Sequence, residues 1–106
     1  MNSTAHTGAA GEMMVSAYFL GQGLEVFRNV AASGPADLFV WNKSNGKSAA
    51  VDVKTISDVY VRKDGTINYA MVKYRDDDVW QVGYVRSEAS VRLPEGFWEA
   101  LGMDMP

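Results

Sequence analysis

Two charged side chains interrupt an apolar stretch near the middle of the chain. Asp52 and Lys54 lie within residues 49–55, whose other members are small or β-branched, the composition of a buried β-strand. Burying a carboxylate is costly unless it is paired, protonated or bound to a metal. Side chains two residues apart leave the same face of a strand, so this carboxylate and this ammonium point into the same space. They form either an ion pair on a surface strand or part of a catalytic site.

A second carboxylate, Asp37, opens the preceding predicted strand directly after Gly34-Pro35-Ala36. Asn45-Gly46 predicts a tight turn between the two strands, because this dipeptide tolerates the positive φ angles that short hairpins need. The strands should therefore pair antiparallel, which lets Asp37 approach Asp52. Neighbouring carboxylates repel each other unless a cation lies between them.

These residue types suit phosphodiester chemistry that depends on a divalent metal. The carboxylates of Asp37 and Asp52, with the backbone carbonyl of Val53 as a candidate third ligand, are the oxygen ligands that Mg²⁺ and Mn²⁺ prefer. A water on such an ion becomes a better nucleophile as its pKa falls. Lys54 beside the ion could orient that water, help to deprotonate it, or offset charge on the phosphate.

Glu12 is the acidic residue of the first predicted helix, and it follows the small residues 8–11, which allow close packing. It is either a favourable charge near the N-terminus of that helix or a third member of the acidic group.

The elements that must position these residues follow from hydrophobic spacing and turn signals. Thr7 is the predicted N-cap of a helix over residues 9–21, with Met13, Ala17 and Leu20 on one face, and residues 1–7 are predicted to form a flexible tail. Strands are predicted over residues 24–30, 37–41, 49–56, 58–62, 66–72, 79–86 and 90–93, and a short helix over residues 94–101.

Composition limits the classes of protein that the chain can represent. Its 106 residues predict one domain, residues 1–106, and the absence of cysteine excludes disulfides and thiolate metal sites. The net charge of −3 argues weakly against a nucleic-acid binder, although acidic metal ligands would also lower it. No signal peptide or membrane-spanning stretch is recognisable, so we expect an intracellular location.

The order of these pieces resembles a known family. Gly11-Glu12, then Gly34-Pro35-Ala36-Asp37, then Val51-Asp52-Val53-Lys54-Thr55 are similar to the signature of the PD-(D/E)XK nuclease superfamily, in particular the branch of small Holliday-junction resolvases and compact homing endonucleases. The resemblance covers about residues 8–56. It implies that Asp37 and Asp52 are metal ligands, that Lys54 is the catalytic lysine, and that Glu12 completes the acidic cluster directly or through water.

The resemblance also implies an α/β (α+β) fold of the restriction-endonuclease type, with a mixed β-sheet flanked by helices in the order αβββαβ. One departure stands out: residues 57–75 resemble a hairpin around Lys63-Asp64-Gly65 rather than the usual crossover helix. We therefore expect the αβββ core to be followed by a remodelled, β-rich C-terminal half. We therefore assign no residue of this chain a role that the family places on that helix, and we assign none to Gln81.

The implied activity is that of a Mg²⁺-dependent DNA endonuclease, a hydrolase that leaves a 5′-phosphate, with Mn²⁺ able to substitute. DNA is the implied partner, and a phage or a mobile element is a natural setting for such an enzyme. We also expect a homodimer or a higher homo-oligomer, because cutting two strands takes two sites. The edge strands predicted near residues 79–93, with Trp80 and Tyr84, could supply the interface. The alternatives are a catalytically inactive nuclease-fold module for nucleic-acid binding or assembly, and a structural module in which Asp52 and Lys54 form an ion pair.

Basic side chains near the predicted turns are candidate DNA contacts, with tyrosines interleaved among them. The other interpretation is that they are ordinary solvated loop charges. The candidates are Lys43, Lys47, Arg62, Lys63, Lys73 and Arg75.

Overall fold

The computed structural model describes residues 4–31, 34–56, 60–61, 63–65, 67–68, 75–76 and 78–106. Two α-helices, eight β-strands and a 3₁₀ turn make up this part of the chain. In chain order they are α1 (Thr4–Gly21), β1 (Glu25–Arg28), β2 (Leu38–Asn42), β3 (Lys47–Ile56), β4 (Tyr60–Val61), β5 (Ile67–Asn68), β6 (Arg75–Asp76), β7 (Val79–Val85), the 3₁₀ turn (Arg86–Glu88), β8 (Ser90–Arg92) and α2 (Phe97–Ala100).

The main sheet is mixed, as the sequence predicted. Its strand order is β1-β2-β3-β7-β6, with β8 also pairing with β7. The meander β1-β2-β3 is antiparallel, and the turn at Asn45-Gly46 joins β2 to β3 as expected. Strand β7 then pairs parallel with β3. A chain that returns parallel needs a crossover connection, and this crossover places β7 directly beside the strand that carries Asp52 and Lys54.

Helix α1 begins at Thr4, earlier than the predicted cap at Thr7. Residues 4–7 are therefore part of the helix, and the predicted tail over residues 1–7 is wrong for them; residues 1–3 lie outside the described residues. Adding a residue to an existing helix costs little compared with nucleating one, and no proline interrupts this stretch.

The buried face of α1 is not the one that spacing suggested. Val15 and Phe19 are fully buried, whereas the predicted face is open to solvent, with Met13 69% and Leu20 56% exposed. The helix has apolar residues around much of its circumference, so periodicity alone does not choose a face. Gly11 settles the choice, because the absence of a side chain there lets α1 approach Thr55 of β3.

One face of the sheet forms the core together with both helices. Leu38, Val40, Val51 and Val82 project towards α1 and are fully buried, and α2 closes the core with an aromatic group. In that group Phe97 stacks on Phe19 with a ring-centroid distance of 5.4 Å, and Trp98 packs against both rings.

The C-terminal half is β-rich, as expected from the departure noted above. Strands β4 and β5 pair antiparallel around residues 63–65, which confirms the hairpin in place of a helix at those positions. The prediction that Trp80 and Tyr84 lie on an edge strand is wrong, because β7 lies between β3 and the strands β6 and β8. Tyr84 is only 9% exposed, and Trp80 is partly buried and packs edge to face on Phe97 of the core.

Candidate functional site

Asp37 and Asp52 lie side by side where β2 begins. Leu38 pairs with Val51, and the backbone N–H of Asp37 donates to the carbonyl of Val51 at 2.8 Å, so Asp37 and Asp52 are the next cross-strand neighbours. The Oδ2 atom of Asp37 accepts a hydrogen bond from the N–H of Val53 at 2.7 Å. The charge of Asp37 also acts on the neighbouring carboxyl of Asp52.

Asn29 holds the backbone that leads into Asp37. Its N–H donates to the carbonyl of Asp37 at 2.9 Å, its side-chain Nδ2 donates to the carbonyl of Ala36 at 2.7 Å, and its Oδ1 accepts from the N–H of Ala31 at 2.9 Å. Gly34 passes so close that a Cβ there would lie 2.5 Å from Nδ2 of Asn29. A side chain at residue 34 would therefore have to displace the amide of Asn29 that binds the carbonyl of Ala36.

The environment of Asp52 disfavours its charged form. Burial raises the pKa of this carboxyl to about 6, helped by the charges of Asp37 and Glu12, while Lys54 opposes the shift. A proton on Asp52 relieves the repulsion that two neighbouring carboxylates would otherwise suffer.

Glu12 lies near this pair but is not one of a three-acid group. Burial raises the pKa of Glu12, the charge of Asp37 raises it further, and Arg28 lowers it. Glu12, Arg28 and Asp37 line the same cavity of about 230 Å³. Within the described residues, no three His, Cys, Asp or Glu side chains are gathered closely enough to hold one metal ion. Glu12 thus acts on the pair through its charge.

The close contact between α1 and β3 sets the position of Glu12. A Cβ added to Gly11 would fall onto the Oγ1 atom of Thr55. Because Thr55 directly follows Lys54, the residue before Glu12 packs against the residue after the lysine. The motif residues on α1 and on β3 are therefore fixed relative to each other by direct packing.

Lys54 leaves β3 on the same face as Asp52 and is exposed. It lowers the pKa of Asp52, so its positive charge acts on that carboxyl. Its neighbour on β7 is Gly83, which has no side chain to fill the space beside it.

Several predicted DNA contacts lie away from the acids. Lys43 and Lys47 flank the turn at the far end of the β2–β3 hairpin, about five extended residues or roughly 16 Å from Asp37. Lys43 also forms an ion pair with Glu25 at 3.5 Å. Lys63 is exposed in the β4–β5 turn. Arg62, Lys73 and the side chain of Arg75 lie outside the described residues.

Two residues near the acids were not assigned a role from the sequence. Arg28 interrupts the apolar alternation of β1. It lies on the same face of the sheet as Val26 and its partner Leu38, which is the face towards α1, and its charge acts on Glu12. Gln81 is the neighbour of Asp52 on β7. The sequence could have indicated Arg28, because a charged residue there interrupts the alternating apolar positions 24, 26 and 30. The position of Gln81 beside Asp52 depends on the pairing of β7 with β3, which the sequence does not reveal.

The carboxyl pair fits a divalent cation that is bound mainly by water. Mg²⁺ in proteins is commonly held through one or two carboxylates and keeps several waters, so a third protein carboxylate is not required. A cation between the two carboxyls would relieve their mutual repulsion. The residues that could hold it are Asp37 and Asp52, and Glu12 lines a cavity beside Asp37.

Comparison with known proteins shows the fold. A search of solved structures finds "The structure of a bacterial homing endonuclease: I-Ssp6803I", with a TM-score of 0.61 and 20% sequence identity, covering 85% of this chain and 67% of that one. No protein-family model and no curated protein sequence matches the chain. In the part of the chain that the structure describes, no helix is long and apolar enough to cross a membrane.

Proposed function

We propose that the protein is a DNA endonuclease of the PD-(D/E)XK type that depends on a divalent metal. The observation that carries the proposal is the neighbouring carboxyl pair Asp37–Asp52, with Lys54 on the same face of β3 as Asp52. The similarity of the fold to a bacterial homing endonuclease supports it. Fold similarity by itself does not specify an activity, so the argument rests on the residues of the site.

Asp37 and Asp52 would hold the cation. The N–H of Val53 donates a hydrogen bond to Asp37. The N–H and the carbonyl of a strand residue point to the same side of the strand, so the carbonyl of Val53 also points towards Asp37. This supports the Val53 carbonyl as a further ligand. When bound, Mg²⁺ or Mn²⁺ supplies Lewis-acid stabilisation of phosphate charge and makes water more acidic.

The side chains around the pair would bind and orient the phosphate and the attacking water. Lys54 donates hydrogen bonds from Nζ towards the phosphate oxygens or the water, which offsets the charge that develops. Glu12 and Arg28 face the neighbouring cavity, where Arg28 can bind a phosphate oxygen. The water adds a hydroxyl to phosphorus, the bond to O3′ breaks, and O3′ takes the proton, which leaves a 5′-phosphate and a 3′-hydroxyl.

A cleavage assay tests this proposal. Supercoiled, linear and branched DNA are incubated with the protein and Mg²⁺ or Mn²⁺, and Lys54→Met and Asp52→Asn are compared with Glu99→Gln, which removes an exposed charge from α2. We expect the first two variants to lose a factor of about 10² to 10⁴ in rate and the third to retain activity. Equal activity in all variants would attribute the cleavage to a contaminant and end the proposal.

A second function has one observation in its favour. Because the described residues hold no group of three acids, the fold could serve as a nucleic-acid-binding or assembly module without turnover. Such a module would bind DNA and leave it intact with either metal. Gel-shift and cleavage measurements on the same DNA separate the two functions.

We further propose that the active form is a homodimer, because one site cuts one strand at a time. Sedimentation should therefore give twice the mass of one chain. A monomer at micromolar concentration, both with and without DNA, would contradict this part of the proposal.

A further inference from the structure

A third oxygen-bearing side chain lies in line with the two carboxyls. Asp37 directly precedes β2 and lies beside Asp52 of β3, because the next residue, Leu38, pairs with Val51. Parallel pairing puts Gln81 of β7 on the other side of Asp52, and paired residues on adjacent strands project from the same face of a sheet. Asp37, Asp52 and Gln81 therefore form a row across three neighbouring chain segments, with Asp52 in the middle.

The amide of Gln81 has an unmet hydrogen bond. Its Oε1 atom is buried and accepts no hydrogen bond within the described part of the chain. Leaving a buried carbonyl oxygen unsatisfied destabilises the folded protein, so an apolar residue would be more favourable here if stability alone mattered. The next residue of β7, Val82, is apolar and fully buried in the core, so it leaves no polar atom unsatisfied.

We propose that Gln81 is a cation-positioning residue, whose amide oxygen helps to hold a divalent ion at Asp37 and Asp52, directly or through one water. This inference rests on the proposed function, because it concerns the same site. An amide oxygen is a suitable ligand for hard cations and equally accepts a hydrogen bond from a coordinated water. Occupation of the site would satisfy the oxygen that is otherwise unpaired.

The test measures Mn²⁺ binding by titration calorimetry, without DNA, in the full chain. Gln81→Met keeps the length of the side chain and removes the oxygen, and Gln81→Glu keeps an oxygen at this position. Gln22→Met, near the C-terminal end of α1, is the matched control. We expect Gln81→Met to weaken Mn²⁺ affinity about 10- to 100-fold, Gln81→Glu to retain it, and Gln22→Met to leave it unchanged.

The melting temperature of the metal-free proteins distinguishes this role from a structural one. Gln81→Met should melt no lower than the wild type, since the substitution removes an unsatisfied buried oxygen. A lower melting temperature with unchanged Mn²⁺ affinity would overturn the inference and leave Gln81 as a packing residue.

Failure of this inference and failure of the proposed function give different results. Wild-type protein that binds Mn²⁺ and cuts DNA while Gln81→Met binds Mn²⁺ equally well overturns only the role of Gln81. Protein whose Mn²⁺ affinity depends on Gln81 but that cuts no DNA supports the inference and removes the endonuclease. A wild type that binds no Mn²⁺ overturns both.

Discussion

The two faces of the β2–β3 hairpin differ sharply although their residues alternate along the same strands. On the face towards α1, Leu38 and Val51 are at most 1% exposed. On the opposite face their sequence neighbours are Phe39, which is 45% exposed, and Asp52, whose ionisation is disfavoured. The packed face determines that the hairpin folds, and the other face carries groups that weaken it. Residues that reduce stability without a packing reason mark the candidate site.

Exchanging neighbouring residues on β2 should show the largest difference between the faces. Leu38→Ala removes a fully buried side chain and should lower the free energy of unfolding by about 2–5 kcal/mol. Phe39→Ala, one residue later, should cost less than about 1 kcal/mol, because much of its ring already contacts solvent. Urea unfolding of both variants measures this difference. Equal losses would mean that a partner or another part of the chain covers the second face.

The contact between α1 and β3 should show the next largest effect. Gly11→Ala places a methyl group on the Oγ1 atom of Thr55 and should cost about 1–3 kcal/mol of unfolding free energy. Thr55→Ala removes that oxygen, which is buried and unpartnered among the described residues. The double variant should therefore be more stable than the sum of the two single effects predicts, as measured in a double-mutant cycle. Additive effects would show that the contact does not position α1.

The pH dependence of stability should identify Asp52 as a source of strain in the metal-free protein. The pKa of this carboxyl is about 6 in the folded protein and 3.8 ordinarily, so the folded state binds the proton more tightly than the unfolded state. Its contribution to stability is full below the ordinary value and is lost as pH rises through about 6. With EDTA present, the melting temperature should fall between about pH 4.5 and about pH 7.5.

The variant Asp52→Asn is the control for this titration. The melting temperature of this variant should fall less steeply with rising pH than that of the wild type. Near neutral pH the variant should melt higher, because it removes a charge that Asp37 and Glu12 repel. If Asp52 served only as the ion-pair partner of Lys54, neutralising it would lower the melting temperature instead. The sign of the difference therefore decides between the two interpretations.

The ion pair at the edge of the sheet should show the smallest effect. Lys43 and Glu25 are 3.5 Å apart, with their side chains 65% and 43% exposed. Solvent screens such a pair, so a double-mutant cycle with alanine should give a coupling of about 0.5 kcal/mol or less. A coupling above about 1 kcal/mol would indicate that this end of the hairpin is less open to solvent than its side chains suggest.

Local signals in the sequence predicted most of the framework of the site. The hairpin through Asn45-Gly46, the alternation along β2 and β3, and the β4–β5 turn all depend on neighbours within a few residues. These features brought Asp37 to Asp52 and put Lys54 on the same face. The predicted helix start after Thr7 and the predicted apolar face of α1, with Met13 and Leu20, were wrong. Apolar residues lie on several faces of this helix, and only packing against β3 selected the one that is buried.

By its own local chemistry, the sequence determined the αβββ order, the antiparallel hairpin and the pairing of two acids with a lysine. The tertiary structure alone decided that β7 inserts in parallel beside β3, which buries Tyr84 and brings Gln81 to Asp52. It also decided that Glu12 and Arg28 share one cavity beside Asp37. The physical reason is distance along the chain: turns and alternation are set between near neighbours, whereas strand insertion and helix docking depend on apolar surfaces that meet only in the folded protein.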